Sequence, residues 1–137
     1  MDRVFVDASV LFSAAYRVDS KLKSLWKRKK VHLITSVYAA EEAGRNLEDE
    51  AQLLRLYELL RSMEIIGSTP AGPLPDEVRL PEKDAPILLA AIQAQCTHLV
   101  TSDKRHFGPY FGRMIAGVRI LPPGEYLHGS AQGRPTG

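Results

Sequence analysis

The sequence predicts an α/β fold, a three-layer α/β/α arrangement around a mostly parallel sheet of four to five strands. Two observations carry that prediction. The runs ending in Val4-Phe5-Val6 and Leu99-Val100 are continuously apolar rather than alternating, as befits strands covered on both faces. Strand-like segments also alternate with helical ones along the chain, the pattern of a doubly wound sheet. Each of the two runs ends in hydroxyl and carboxylate groups, Asp7-Ala8-Ser9 after the first and Thr101-Ser102-Asp103 after the second. Ligands of open parallel sheets gather outside the carboxyl ends of the strands, so these acids mark the first place to look for chemistry.

In chain order, Arg3 to Val6 reads as the first strand and Ala8 to Tyr16 as a short helix. Asp19-Ser20 is a plausible N-cap pair for a basic amphipathic helix over Lys21 to Lys30, with Leu22, Leu25 and Trp26 at helical spacing. Val31 to Ile34 is the second strand, and Thr35-Ser36 closes it and caps the next helix. The helical pattern from Val37 to Ser62 carries Val37, Ala40, Ala43 and Leu47 on one stripe, then Leu53, Leu54, Tyr57 and Leu60. The acidic interruption at Glu48-Asp49-Glu50 divides it into two helices, and Met63 to Ile66 is a third strand.

Gly67 to Pro81, rich in Pro, Gly, Ser and Thr, is a connector inside the domain. Pro81-Glu82-Lys83-Asp84 opens a helix whose buried face is Ile87, Leu88, Ala91 and Ile92, with Pro86 tolerated in the first turn. His98 to Val100 is the fourth strand, a mixed segment leads to Arg113, and Val118 to Leu121 is the fifth. Pro122 to Leu127 makes one final helical turn at most. The expected organisation is one domain over 1–128 and a disordered tail over 129–137, the latter being rich in Gly, Ser, Pro and Gln.

Composition narrows the class. A chain of 137 residues, 45% hydrophobic, buries one core but not two. A lone Cys96 forms no internal disulfide, and no basic segment followed by a long apolar run begins the chain, so the expected setting is soluble, reducing and cytoplasmic, away from membranes. With 18 Lys plus Arg against 16 Asp plus Glu, overall charge does not announce a nucleic-acid binder. The Lys27-Arg28-Lys29-Lys30 run reads first as a solvated face, and Met63, Trp26 and Phe107 as core.

The candidate chemistry lies in the acids. Asp7 and Asp103 follow strands, Asp84 begins the helix before the fourth strand, and a fourth acid comes from Glu41 or Glu42, of which only one can face the site. Carboxylates gathered at one edge repel one another unless a cation lies between them, which makes a divalent-metal site the leading hypothesis. Taken singly, an Asp at a strand end or helix start is most often a turn or cap; three at equivalent topological positions weaken that reading. Ser9, Thr101 and Ser102 are placed to orient carboxylates or a water, and Lys104, Arg105 and His106, which follow Asp103, are candidates for contact with a substrate phosphate. Asp7-Ala8-Ser9-Val10 lacks the second Asp that a phosphoaspartyl phosphatase needs, and no acidic pair of the receiver-domain type follows the first strand.

Val6-Asp7-Ala8-Ser9, Thr35-Ser36 with Glu41-Glu42-Ala43, Lys83-Asp84-Ala85-Pro86-Ile87 and Val100-Thr101-Ser102-Asp103-Lys104-Arg105-His106-Phe107 together resemble the PIN-domain family over nearly the whole chain. The resemblance implies a metal-dependent nuclease fold in which acids bind Mg²⁺ or Mn²⁺ and RNA is hydrolysed. It also implies frequent homodimers, with Leu22, Leu25, Trp26 and Tyr38 offering apolar surface, and in many bacterial members a toxin paired with an antitoxin protein. The family pattern sets its helical Glu six residues after the hydroxyl that closes the second strand, which selects Glu42. It thus carries the catalytic and metal-binding roles to Asp7, Glu42, Asp84 and Asp103, with Ser9 and Thr101 as polar supports. One departure is visible. Many members have a further acid two or three residues after the last aspartate, where this chain has Arg105 and His106, so less negative charge is available for a second ion. The rival expectation is a module on the same fold that binds RNA or protein without cutting, and the intact acid set weighs against it.

Overall fold

The structure is a computed structural model that describes residues 1–68 and 70–131. Among these residues the sheet has six strands in the order β3-β2-β1-β4-β6-β5, all parallel except the last pair. The elements run β1 (Asp2–Val6), α1 (Ala8–Tyr16), a 3₁₀ helix (Lys21–Lys27), β2 (Val31–Ser36), α2 (Val37–Asn46), α3 (Glu50–Leu60) and β3 (Glu64–Ile66). They continue with α4 (Ala85–Gln93), β4 (His98–Val100), a 3₁₀ turn (Gly108–Tyr110), β5 (Met114–Ile115), β6 (Val118–Leu121) and α5 (Pro123–Ala131).

β1 lies in the middle, flanked by β2 and β4, and Val4, Phe5, Val6, Leu99 and Val100 are completely buried. This is the outcome that unbroken apolar runs require of strands with a layer on each face. From β1 the chain steps outward through β2 to β3, and then returns past β1 to β4 and on to β6. α1 packs against both α2 and α3, and the right-handed rule for crossovers between parallel strands assigns these three to one face and α4 to the other. The direction of winding reverses between β1 and β4. A crevice therefore opens at the carboxyl ends of those two strands, the place where Asp7 and Asp103 leave the sheet.

The hydroxyls expected to close β2 do so. Thr35 donates Oγ1 to the Val6 carbonyl at 2.8 Å, and Ser36 Oγ accepts the Ala39 N–H at 3.1 Å, capping α2. The acidic break between the helices is real: Asp49 caps α3 by accepting the Gln52 N–H at 2.9 Å, and Gln52 Oε1 returns the bond to the Asp49 N–H. The Pro-rich connector is pinned where Val78 is buried and where Tyr110 Oη accepts the Arg79 N–H.

Four expectations need correction. The sheet has six strands rather than four or five, because Met114–Ile115 pairs back on Val118 through a hairpin whose central residues, Ala116 and Gly117, have φ of 50° and 87°. Positive φ at both positions is what a two-residue type I′ turn demands, and Ala-Gly is a weak sequence signal for it. The basic helix over 21–30 is a shorter 3₁₀ segment, capped by Ser20 and buried chiefly through Leu25. Leu22 and Leu25, three residues apart, line up on a helix with three residues per turn.

The closing helix is also longer than one turn. Pro123 starts it, and Tyr126 is buried, with its hydroxyl donating to Asp2 Oδ2 at 2.7 Å and its ring edge-on to His98 at 5.0 Å between centroids. Packing of that one aromatic outweighs the two glycines in the helix. The expected tail therefore begins inside α5, and its remainder, 132–137, lies outside the described residues. Lastly, part of the apolar face assigned to dimer contact is taken up inside the fold: Leu25 is buried and Trp26 donates Nε1 to the Leu59 carbonyl at 3.1 Å, while Leu22 and Tyr38 stay half-buried. Large exposed apolar side chains are instead Val37, Leu54, Tyr57 and Ile65, among others.

Candidate metal centre

Asp7 leaves β1 and at once caps α1, its Oδ1 accepting the Ala8 N–H at 2.7 Å. Its Oδ2 accepts two hydroxyls, Thr101 Oγ1 at 2.6 Å and Ser9 Oγ at 3.1 Å. The same hydroxyl oxygens then accept from the far side: Ser9 Oγ takes the Ser102 N–H at 3.0 Å, and Thr101 Oγ1 takes the Asp103 N–H at 3.1 Å. Ser9 and Thr101 thus clamp the end of β1 to the end of β4 and fix the rotamer of Asp7. Ser102 contributes its backbone N–H, while the residue as a whole is exposed.

Asp103 folds the next turn over itself. Its Oδ1 accepts the His106 N–H at 3.1 Å, and its carbonyl accepts the Phe107 N–H at 3.1 Å. Phe107 is completely buried, and its anchoring turns the His106 ring toward the acids. His106 Nδ1 lies 2.9 Å from Asp103 Oδ2 and 3.2 Å from Asp84 Oδ2.

Asp84 stands at the N-cap position of α4, yet its side chain makes no cap hydrogen bond, and its buried Oδ2 has no hydrogen-bond partner. A buried carboxylate oxygen with no hydrogen-bond donor costs free energy, which the nearby His106 and Lys83 charges oppose without supplying a hydrogen bond. The capping explanation, which accounts for a hydrogen bond of Asp7 to Ala8 and of Asp103 to His106, therefore fails for Asp84.

Asp7, Ser9, Glu42, Asp84, Ser102 and Asp103 line one cleft of about 530 Å³, and His106 stands behind Asp84 and Asp103 rather than among its lining residues. Glu42 is half-buried and faces this cleft, whereas Glu41 is exposed and lines a separate apolar groove between α2 and α3. Three polar residues of the cleft, Ser13, Asn46 and Lys83, were not marked as candidates in the sequence. Asn46 is four residues after Glu42 and so on the same face of α2, a signal that was there to use; Lys83 comes in with the turn that positions Asp84. Lys104 and Arg105 are exposed beside the cleft and are not among the residues lining it. The basic run is at the opposite end of the strands, where the Asp2 N–H donates to the Lys30 carbonyl and Arg28 donates to the Leu127 carbonyl.

Electrostatics separate the acids. Burial pushes the Asp7 carboxyl up to about 6, against the pull of hydrogen bonds from Thr101, Ala8 and Ser9, and the Glu42 charge adds to the rise. Asp84 is likewise raised, first by burial and then by the Asp103 charge, with Lys83 and His106 opposing. For Asp103 burial is the largest single influence and pushes upward, but hydrogen bonds and charge from His106, with the Arg105 N–H, outweigh it and hold the carboxyl below its usual range.

A divalent cation fits this donor set. Four carboxylates face one cleft against a single lining ammonium, Lys83, and the orphaned Asp84 Oδ2 is the kind of oxygen a cation satisfies. Oxygen atoms of Asp84 and Asp103 and a nitrogen of His106 all lie within 4.8 Å of one another.

No family model matches the chain, and no curated protein matches it. Solved structures do. A chain in the crystal structure of VapBC2 from Rickettsia felis bound to a DNA fragment from their promoter superposes with a TM-score of 0.66 at 17% identity, covering 88% of this chain and 98% of that one. The Mycobacterium tuberculosis toxin VapC20, described as sarcin-ricin loop cleaving, superposes with a TM-score of 0.58 at 17% identity, covering 85% and 98%. At that identity the likeness is one of fold, and the fold is the PIN-like one that the sequence motifs imply.

Proposed function

We propose that this PIN-like chain is a metal-dependent endoribonuclease, the toxin of a toxin–antitoxin pair, acting on RNA in the cytoplasm as a homodimer. The observation that carries the reading is the convergence of Asp7, Glu42, Asp84 and Asp103 on one cleft at the β1/β4 switch point, with Asp84 Oδ2 left unpartnered. The likeness to a chain of VapBC2 and to a sarcin-ricin loop cleaving toxin supports the toxin assignment and an antitoxin partner.

In this reading Asp84, Asp103, Asp7 and Glu42 hold Mg²⁺ or Mn²⁺. Bound there, the ion would lower the pKa of a water and offset the charge that builds on the phosphate as a P–O bond is hydrolysed. The protein's own groups do the positioning. Ser9 and Thr101 fix the Asp7 carboxylate, so that it enters the reaction without reorganising. The Asp103 turn presents its carboxylate beside Asp84. Lys83, the ammonium on the cleft wall, is the group placed to meet a substrate phosphate, and Asn46 offers an amide to sugar or base. No Ser, Cys or His need act as a nucleophile.

The test is cleavage of a structured RNA by the full chain with Mn²⁺ or Mg²⁺, with and without EDTA. Cleavage that EDTA abolishes and excess Mn²⁺ restores supports the enzyme. RNA binding with no cleavage under any divalent ion would leave the non-catalytic module as the correct reading.

A further inference from the structure

Against two of the cleft's carboxylates, Asp84 and Asp103, stands one group that an all-carboxylate site does not require. We infer that His106 is itself a metal ligand, and that Asp84, Asp103 and His106 form a mixed nitrogen and oxygen site that takes a first-row transition ion such as Mn²⁺ or Co²⁺ in preference to Mg²⁺. The inference deepens the nuclease reading and rests on it.

Geometry is the first support. His106 Nδ1 is 2.9 Å from Asp103 Oδ2 and 3.2 Å from Asp84 Oδ2. Bonds of about 2.1 Å at right angles place neighbouring ligand atoms about 3.0 Å apart, so the two measured spacings are those of adjacent corners of one octahedron. The second support is the state of Asp84. Its Oδ2 is buried and has no hydrogen-bond partner even though Nδ1 is near, so the nitrogen is close enough to share an ion with it but does not satisfy it as a donor. The third is rigidity. The ring is held by its own turn, with the His106 N–H on Asp103 Oδ1 and the adjacent Phe107 fully buried, so little order is lost on binding.

The chemistry then decides the ion. Mg²⁺ demands hard oxygen ligands and retains its waters, whereas imidazole suits the later first-row ions, and affinity for a mixed site rises from Mn²⁺ toward Co²⁺. One histidine among carboxylates therefore lifts Mn²⁺ and Co²⁺ relative to Mg²⁺. The competing role for His106 is that of a hydrogen-bonding prop, which donates to Asp103 and never touches the ion.

The experiment uses the full chain loaded with Mn²⁺, read by pulsed EPR for coupling to a directly bound ¹⁴N, together with calorimetric titration of Co²⁺ and Mg²⁺. Wild type should show the nitrogen coupling. His106→Ala should lose it, and its Co²⁺ affinity should fall about 10- to 100-fold with Mg²⁺ affinity little changed. His106→Asn, which keeps an N–H donor near Asp103, should behave as the Ala variant does; thermal melts check that both are folded. Mn²⁺ bound without nitrogen coupling, equal losses for the two ions, or a full Co²⁺ preference in His106→Asn would each make the histidine a prop and overturn the inference, while the carboxylate nuclease site would stand. Absence of any bound ion would overturn both.

Discussion

Replacing Asp7 by Asn isolates the cost of holding that carboxylate in the metal-free protein. Burial raises its pKa from 3.8 to about 6, so the folded state binds the Asp7 proton more tightly than the unfolded chain does. The sign follows: this contribution to stability is fully present below pH 4 and is lost as pH rises through about 6. A shift of roughly two units corresponds to about 3 kcal/mol. The amide of the variant has no such proton to lose. It does lose hydrogen bonding, because its single oxygen can replace Oδ2 toward Thr101 and Ser9 or Oδ1 toward the Ala8 N–H, but not both. That costs about 1 kcal/mol for each bond weakened, and the cost does not vary with pH. In EDTA, then, Asp7→Asn should be less stable than wild type at pH 4 and equal or more stable at pH 8, the difference moving by about 3 kcal/mol between them. Urea unfolding of both proteins at half-unit steps of pH reads it directly. A difference that stays constant across that range would refute the claim that Asp7 is held against its charge, and with it the electrostatic case for a cation.

The cleft carries further consequences. Excess Mn²⁺ at about 100 times its dissociation constant should stabilise the folded chain by about 2.7 kcal/mol, roughly 8 °C in melting temperature, and Asp103→Asn should remove most of that gain in a calorimetric scan. Glu42→Gln should lower RNA cleavage by orders of magnitude, while Glu41→Gln, on the opposite groove, should leave the rate within about twofold; the reverse result in a cleavage assay would mean that α2 presents its other face. Ser9→Ala should cost about 10- to 100-fold in metal affinity or cleavage rate, because that hydroxyl supports Asp7 and ties Ser102 to the start of α1; an unchanged rate would assign the work to Thr101 alone.

What the sequence could show about this site and what it could not divide along a physical line. Asp7, Ser9, Thr101 and Asp103 were legible because they are attached to strand ends. A buried parallel strand announces itself by an unbroken apolar run, and the topology of the sheet then decides where its carboxyl end emerges. Nothing about side-chain direction is needed beyond that. Glu41 and Glu42 differ only in direction. Both faces of α2 have neighbours, with the cleft on one and α3 on the other, so an amphipathic pattern cannot say which of two adjacent acids is wanted, and the resemblance had to supply Glu42. The 3₁₀ form of Lys21–Lys27 and the length of α5 were hidden for a related reason: each depends on packing against residues distant in sequence, Trp26 on Leu59 and Tyr126 on Asp2 and His98.

His106 is the sharpest case. By position it follows Asp103 in a basic stretch and reads as a group for a substrate phosphate, as Lys104 and Arg105 do. Its ring is directed instead by a neighbour, since Phe107 can be buried only if the turn from Asp103 closes back over the sheet, and closing it brings Nδ1 to within 3.2 Å of two carboxylates. Lys104 and Arg105, in the same turn, are left exposed. A sequence pattern assigns the same chemistry to three consecutive cationic or titratable residues, whereas packing of the fourth separates them. Substituting Phe107 rather than His106 would therefore be expected to disturb the proposed metal site from a distance: Phe107→Ala should cost about 3–5 kcal/mol of stability, and in whatever fraction remains folded it should loosen Mn²⁺ binding without removing any of the proposed ligands. Tight binding retained in a folded Phe107→Ala protein would show that the Asp103 hydrogen bonds alone suffice to aim the ring.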